Sequence, residues 1–113
     1  MIEVEQIKLY ELRKMSAKMS EPLVKGVVDV FLRKLVVDAG LHTDEELFLL
    51  EHGSMQENLW GINLWPEYYG TDDFIEFDSM INVRPLQSNR FRGVEDESTQ
   101  KLIIEIVGEK IIE

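Results

Sequence analysis

Two carboxylates stand two residues apart in the segment FIEFDSMINVRP, Glu76 and Asp78. In an extended strand, residues i and i+2 point to the same side. Such a pair has the donors for a hard divalent cation, Mg²⁺ or Mn²⁺, or for general acid and base work if one pKa is raised. Reading the segment as a strand places Asn82 and Arg84 on that polar side. Pairing it with the preceding strand adds Asn63, and sets Gly61 across from Asp78 with room for a group to approach. The plainer explanation is a solvated sheet face, which an antiparallel sheet commonly keeps and which looks like alternating charge. Arg84 would then serve as an internal partner for Glu76 and Asp78.

A second constellation follows in the loop QSNRFRGVED. Arg84, Arg90 and Arg92 are the only cations between Val36 and Gln100, against fourteen acidic residues. Arg90 and Arg92 flank Phe91, so in an extended chain both point the same way. Two guanidiniums can grip a phosphate or carboxylate, with the amides of the next helix start nearby. Glu95, Asp96 and Glu97 occupy that start, however, and compete with any anion. Ion pairs that merely pin the loop are the alternative, worth little if exposed.

His42 with Asp44, Glu45 and Glu46 has metal-ligand residue types, but helix-start chemistry accounts for the acids. Thr43 and Glu46 have the spacing of a capping box, and Asp44 and Glu45 suit the positive end of the helix dipole. His52 is placed near the carbonyl end of the same helix. The ten-residue separation of the two histidines fits no zinc spacing. No glycine-rich phosphate loop, nucleophile elbow, Walker motif or HExxH occurs.

The chain has 113 residues and a formal net charge of -10, with no cysteine. That length suits one domain, 1–113, with a modest core. Thiolate chemistry, cysteine-zinc sites and disulfides are excluded. An acidic surface repels polyanions, so sequence-blind binding to duplex nucleic acid is not expected. No apolar run approaches a membrane span, and a cytoplasmic protein is the expectation.

Several elements must position these residues. Leu9, Leu12, Met15 and Met19 mark one face of a short helix ended by Pro22. Gly26 and the valines around it favour strands near 24–30 and 35–41, joined by a turn at 32–34. HTDEELFLLEHGS reads as a short helix closed by Gly53, with the apolar run Leu47 to Leu50 buried. NLWGINLW and FIEFDSMINV read as a hairpin with Trp65 opposite Phe74. Trp60, Ile62 and Leu64 then share a core face with Ile75, Phe77, Ile81 and Val83, and a one-residue slip would set apolar against polar throughout. Asp96 is the expected N-cap of a last helix whose buried stripe is Leu102, Ile103, Ile106 and Val107. The order α-β-β-α-β-β-α predicts an α+β fold, a mainly antiparallel sheet of about four strands with helices packed on one face. Trp65, Tyr68 and Tyr69 at the hairpin end, or an unpaired strand edge, suggest a homo-oligomer or another protein partner.

The strings ENLWGIN, DSMINVRP and SNRFRGVED carry a resemblance to a small family of uncharacterised prokaryotic proteins, a domain of unknown function. It runs from about Leu9 to the C-terminus, with departures at Phe91, where the family has a small residue, and at Glu97, where it has proline. The resemblance implies no activity. It implies recurring polar positions at Asn63, Glu76, Asp78, Asn82, Arg84, Asn89 and Arg90, without roles.

Two functions follow as expectations. The first is a non-catalytic binding or interaction module that holds an anionic group with the arginine loop and the polar sheet face, using no cofactor. The second is a small hydrolase of phosphate-containing substrates, with Mg²⁺ or Mn²⁺ on Glu76 and Asp78 and with Arg84 or Arg90 stabilising charge.

Overall fold

The computed structural model describes every residue, Met1–Glu113. In chain order the elements are β1 (Ile2–Glu3), β2 (Ile7–Lys8), α1 (Leu9–Ser16), β3 (Val24–Asp29), β4 (Lys34–Ala39), α2 (His42–Glu51), β5 (Leu59–Leu64), β6 (Ile75–Glu76), α3 (Glu97–Lys110) and β7 (Ile111–Ile112). Five strands form one antiparallel sheet in the order β1-β4-β3-β5-β6, and β2 pairs with β7 in parallel. The fold is therefore α+β with an antiparallel sheet, but with seven strands in two sheets. The short strands at both ends of the chain account for the excess over four, since two-residue pairings leave no hydrophobic period to read.

The β3–β4 hairpin forms where the valines require it. Its turn is held by Asp29, whose buried Oδ1 accepts from the amides of Phe31 and Leu32 at 2.9 Å each. Oδ2 accepts from the Ser54 hydroxyl at 2.6 Å, tying the turn to the segment after α2. Near the far end, Lys25 pairs with Ala39 but Gly26 with Val37. Asp38 is the extra residue of this bulge, at φ 73°, and the kink increases the local twist.

β4 and β5 both run antiparallel to β3 on its two sides, so the connection between them must cross β3. α2 makes that crossing and covers one sheet face, packing Leu49 against Val27, Val36 and Leu59. α1 and α3 cover the other, where Leu12, Ile103, Ile106 and Val107 join Val28, Leu35, Ile62 and Leu64. Helices thus lie on both faces, not on one as the element order suggested.

α2 departs from expectation in two further ways. Its N-cap is Leu41, with no side-chain cap, so Thr43 and Glu46 form no capping box. The sheet-facing stripe is His42, Glu45 and Leu49, while Leu47 and Leu50 are exposed. The apolar run Leu47 to Leu50 goes most of the way round the helix, so Leu49 faces the sheet with Phe48 half-buried beside it, while Leu47 and Leu50 share the outer side. Gly53 does close the helix: it sits at φ 99°, and the Ser54 amide reaches back to the Leu49 carbonyl at 3.0 Å. At α3 the cap is as expected, with Asp96 Oδ2 accepting from the Thr99 amide at 3.0 Å.

Candidate functional site

The register of the β5–β6 hairpin is the one the sequence predicts. Leu64 pairs with Ile75 and Asn63 with Glu76, and the Trp65 amide donates to the Phe74 carbonyl at 2.9 Å. The ladder stops at Glu76, however, and residues beyond it leave the sheet. Ser79 turns in against Gly61 so closely that a Cβ on Gly61 would lie 2.5 Å from the serine side chain. The space at Gly61 therefore serves Ser79 and not a ligand. Met80–Asn82 then form a short 3-10 turn, capped by the Ser79 hydroxyl. Ile81 swings to the α2 side, away from the core face the extended reading gave it.

Asn82 takes the place of the missing strand. Its fully buried amide accepts from the Gly61 N–H at 2.8 Å and donates to the Gly61 carbonyl at 3.0 Å, as an opposing peptide group would. The same Nδ2 donates to the Arg92 carbonyl at 2.9 Å. Asn89 plays a similar part inside its loop: Nδ2 donates to the carbonyls of Asn82 and Gly93, and Oδ1 accepts from the Glu95 amide. Both asparagines have their donors and acceptors engaged by backbone, which gives them a structural role and removes them from a ligand site.

The three arginines diverge. Arg84 lies with its guanidinium 4.2 Å from the Trp60 ring centroid and donates to the Gln56 carbonyl at 2.6 Å. It pairs with neither Glu76 nor Asp78, and burial lowers its pKa from the ordinary arginine value. Arg90 is exposed and has no ion-pair partner. Arg92 Nε bonds Asp78 Oδ1 at 2.6 Å. None of the three pairs with Glu95, Asp96 or Glu97, and the Asp96 carboxylate is taken up by Ser98 and Thr99 at the helix start. Those hydrogen bonds hold the Asp96 carboxyl below its usual range.

Of the polar residues singled out in the sequence, Asn63, Glu76, Asp78 and Arg92 do converge. They line a cleft of about 370 Å³ between the start of α2 and the 76–81 segment. Asn63 is buried and oriented by two acceptors, Glu76 Oε1 at 2.9 Å and the Asp78 carbonyl at 3.2 Å. That leaves its Oδ1 buried without a partner. Glu76 Oε1 also accepts from the Trp65 indole at 3.2 Å. Arg92 is held through Nε alone, so its two Nη nitrogens keep their donors. Lys25 lines the same cleft and makes no ion pair.

The sequence reading missed Lys25, His42 and Thr43 as lining residues. The buried spacing of His42, Glu45 and Leu49 was the available signal, hidden by assigning the acids to a helix start. His42 Nε2 lies 2.8 Å from the Ile62 carbonyl and so carries its proton there, while burial lowers the pKa and favours the neutral ring. Glu45 accepts from the Ala39 amide at 3.0 Å, and burial pushes its carboxyl up to about 9. A protonated Glu45 is the consequence at neutral pH.

No group of three His, Cys, Asp or Glu side chains is arranged to hold a metal ion. Glu76 and Asp78 each have an oxygen committed to a protein donor. No helix is long and apolar enough to cross a membrane.

An α+β domain with a five-stranded antiparallel sheet and a polar cleft beside it is thus the class the fold defines. The chain matches the family described as "Protein of unknown function (DUF5674)" over residues 1–110, and it belongs to that family. No curated protein and no solved structure matches it.

Proposed function

We propose that the protein is a non-catalytic binding module whose cleft takes a small ligand, or a segment of a partner, through a single anionic group. The observation that carries this reading is the state of Arg92. Asp78 fixes the guanidinium through Nε, which leaves both Nη donors for a carboxylate or phosphate oxygen, and the unpaired Lys25 supplies a second cation in the same cleft. A positioned guanidinium loses less freedom on binding than a mobile one. Trp65 contributes an apolar surface, and the buried Asn63 Oδ1 offers an acceptor to any donor that displaces its surroundings. Glu21, Glu76 and Asp78 line the cleft too, so the preferred ligand carries one negative group beside hydrogen-bond donors and is not a polyanion.

The test is calorimetric titration with inorganic phosphate, acetate and glycine at low and high salt. Saturable binding of at least one, weakened about tenfold or more by Arg92→Ala and by Lys25→Ala, supports the reading. No binding by the wild-type protein, or binding indifferent to both substitutions, overturns it. Arg90→Ala serves as the control that leaves binding unchanged.

A further inference from the structure

The segment that walls the polar cleft has a second side. Glu76 and Asp78 line the cleft, whereas Ile75 and Phe77 line a separate furrow of about 410 Å³ between the 69–77 segment and α3. The opposite wall is one face of α3, Ile104, Val107 and Gly108, continued by Ile111 where the helix gives way to β7. Three of those positions carry branched apolar side chains and the fourth carries none.

Gly108 has no local reason to be glycine. It lies within α3, ahead of the C-cap Ile111, and its φ is not positive. A Cβ built on it meets nothing within 4 Å. Glycine weakens a helix relative to alanine, and no close backbone approach within this chain accounts for it. The missing side chain instead leaves the middle of that wall open and deepens the furrow. Its volume falls in the range of small-molecule sites, and a concave furrow between two elements suits a compact ligand better than a flat partner surface.

From this geometry we infer that the furrow is a second binding site, for a small molecule with an apolar body and a cationic head, seated over Gly108. Asp72 is the single charged residue in the lining, and it sets the sign of the head group. Two pairs of neighbours on one segment, facing opposite ways, thus separate a polar site from an apolar one.

The probe is N-phenyl-1-naphthylamine, a neutral dye that brightens in apolar surroundings, displaced in turn by decanol, decylamine and decanoate. Saturable one-to-one binding is expected, with decylamine competing better than decanol and decanol better than decanoate, and with Asp72→Asn removing the advantage of decylamine over decanoate. Gly108→Leu should weaken binding about tenfold or more. Should that variant fold poorly, Gly108→Ala decides: a higher melting temperature together with weaker dye binding supports the site. Absence of saturable binding overturns the inference, as does binding that neither Gly108 variant changes. Sedimentation showing a dimer that Gly108→Leu disrupts also overturns it, because a second copy would then be the occupant. Arg92→Ala and Lys25→Ala leave dye binding unchanged, which keeps this result separate from that of the polar cleft.

Discussion

The side chain of Asn82 pairs with the backbone of Gly61 in both directions, accepting from its N–H at 2.8 Å and donating to its carbonyl at 3.0 Å. One residue thereby extends the sheet past the point where β6 ends. Asn82→Ala leaves both Gly61 groups and the Arg92 carbonyl without this partner, and should cost roughly 2–4 kcal/mol. Asn82→Asp keeps an acceptor but loses the donors, so it should be destabilising as well. Urea denaturation at neutral pH measures both.

Gly61→Ala places a methyl group 2.5 Å from Ser79. Overpacking of this kind costs about 1–3 kcal/mol. Adding Ser79→Gly should recover much of that loss, because it removes the atoms the new methyl meets. A double-mutant cycle on thermal or urea stability reads the coupling; additive effects would contradict the contact.

Glu45 titrates near 9 in the folded protein, well above its ordinary 4.5. Between those values the folded state holds a proton that the unfolded chain has released, so stability falls as pH rises. It is fully present below about pH 4.5 and lost towards pH 9, with a slope of at most about 1.4 kcal/mol per pH unit. Glu45→Gln should remove most of this slope, matching wild type near pH 4 and exceeding it at pH 8. Urea melts across that range provide the check.

Arg84 stacks on Trp60 and donates to the Gln56 carbonyl. Lysine can supply the charge but not the planar stack, so Arg84→Lys should lose about 1 kcal/mol. In a Trp65→Phe background, where Trp60 is the remaining tryptophan, its emission should shift. A small change in phosphate binding distinguishes this residue from Arg92.

Much of the fold was legible because β-branched runs and alternation set strands directly: Val24 to Asp29, Lys34 to Ala39, and the pairing of Asn63 with Glu76 all follow from the pattern. The same alternation continues through Phe77 to Val83 and predicts a strand that is not there. Its failure turns on Gly61 and Ser79, a contact between residues eighteen apart whose closeness no local pattern encodes. The side of the sheet that α2 covers was equally invisible, since it depends on β5 pairing with β3 and not with β4. At the site, Glu76, Asp78 and Asn63 were readable as one polar face, while Arg92 was readable as a cation but not as the one that reaches Asp78. Asn82 and Asn89 look like ligand residues in a sequence, because satisfaction by backbone groups appears only once the loops are folded.

The small parallel pairing of β2 with β7 lies directly before α1 and directly after α3. Ile7 opposite Ile111 closes nearly the whole chain into one loop, an event of high sequence separation. Closing so long a loop costs the most chain entropy of any pairing in the fold, and only two residues on each side repay it. Exchange of its amide hydrogens with solvent deuterium should therefore outpace that of β3 and β5, so that the molecule loosens from its two ends together while the central strands stay shut.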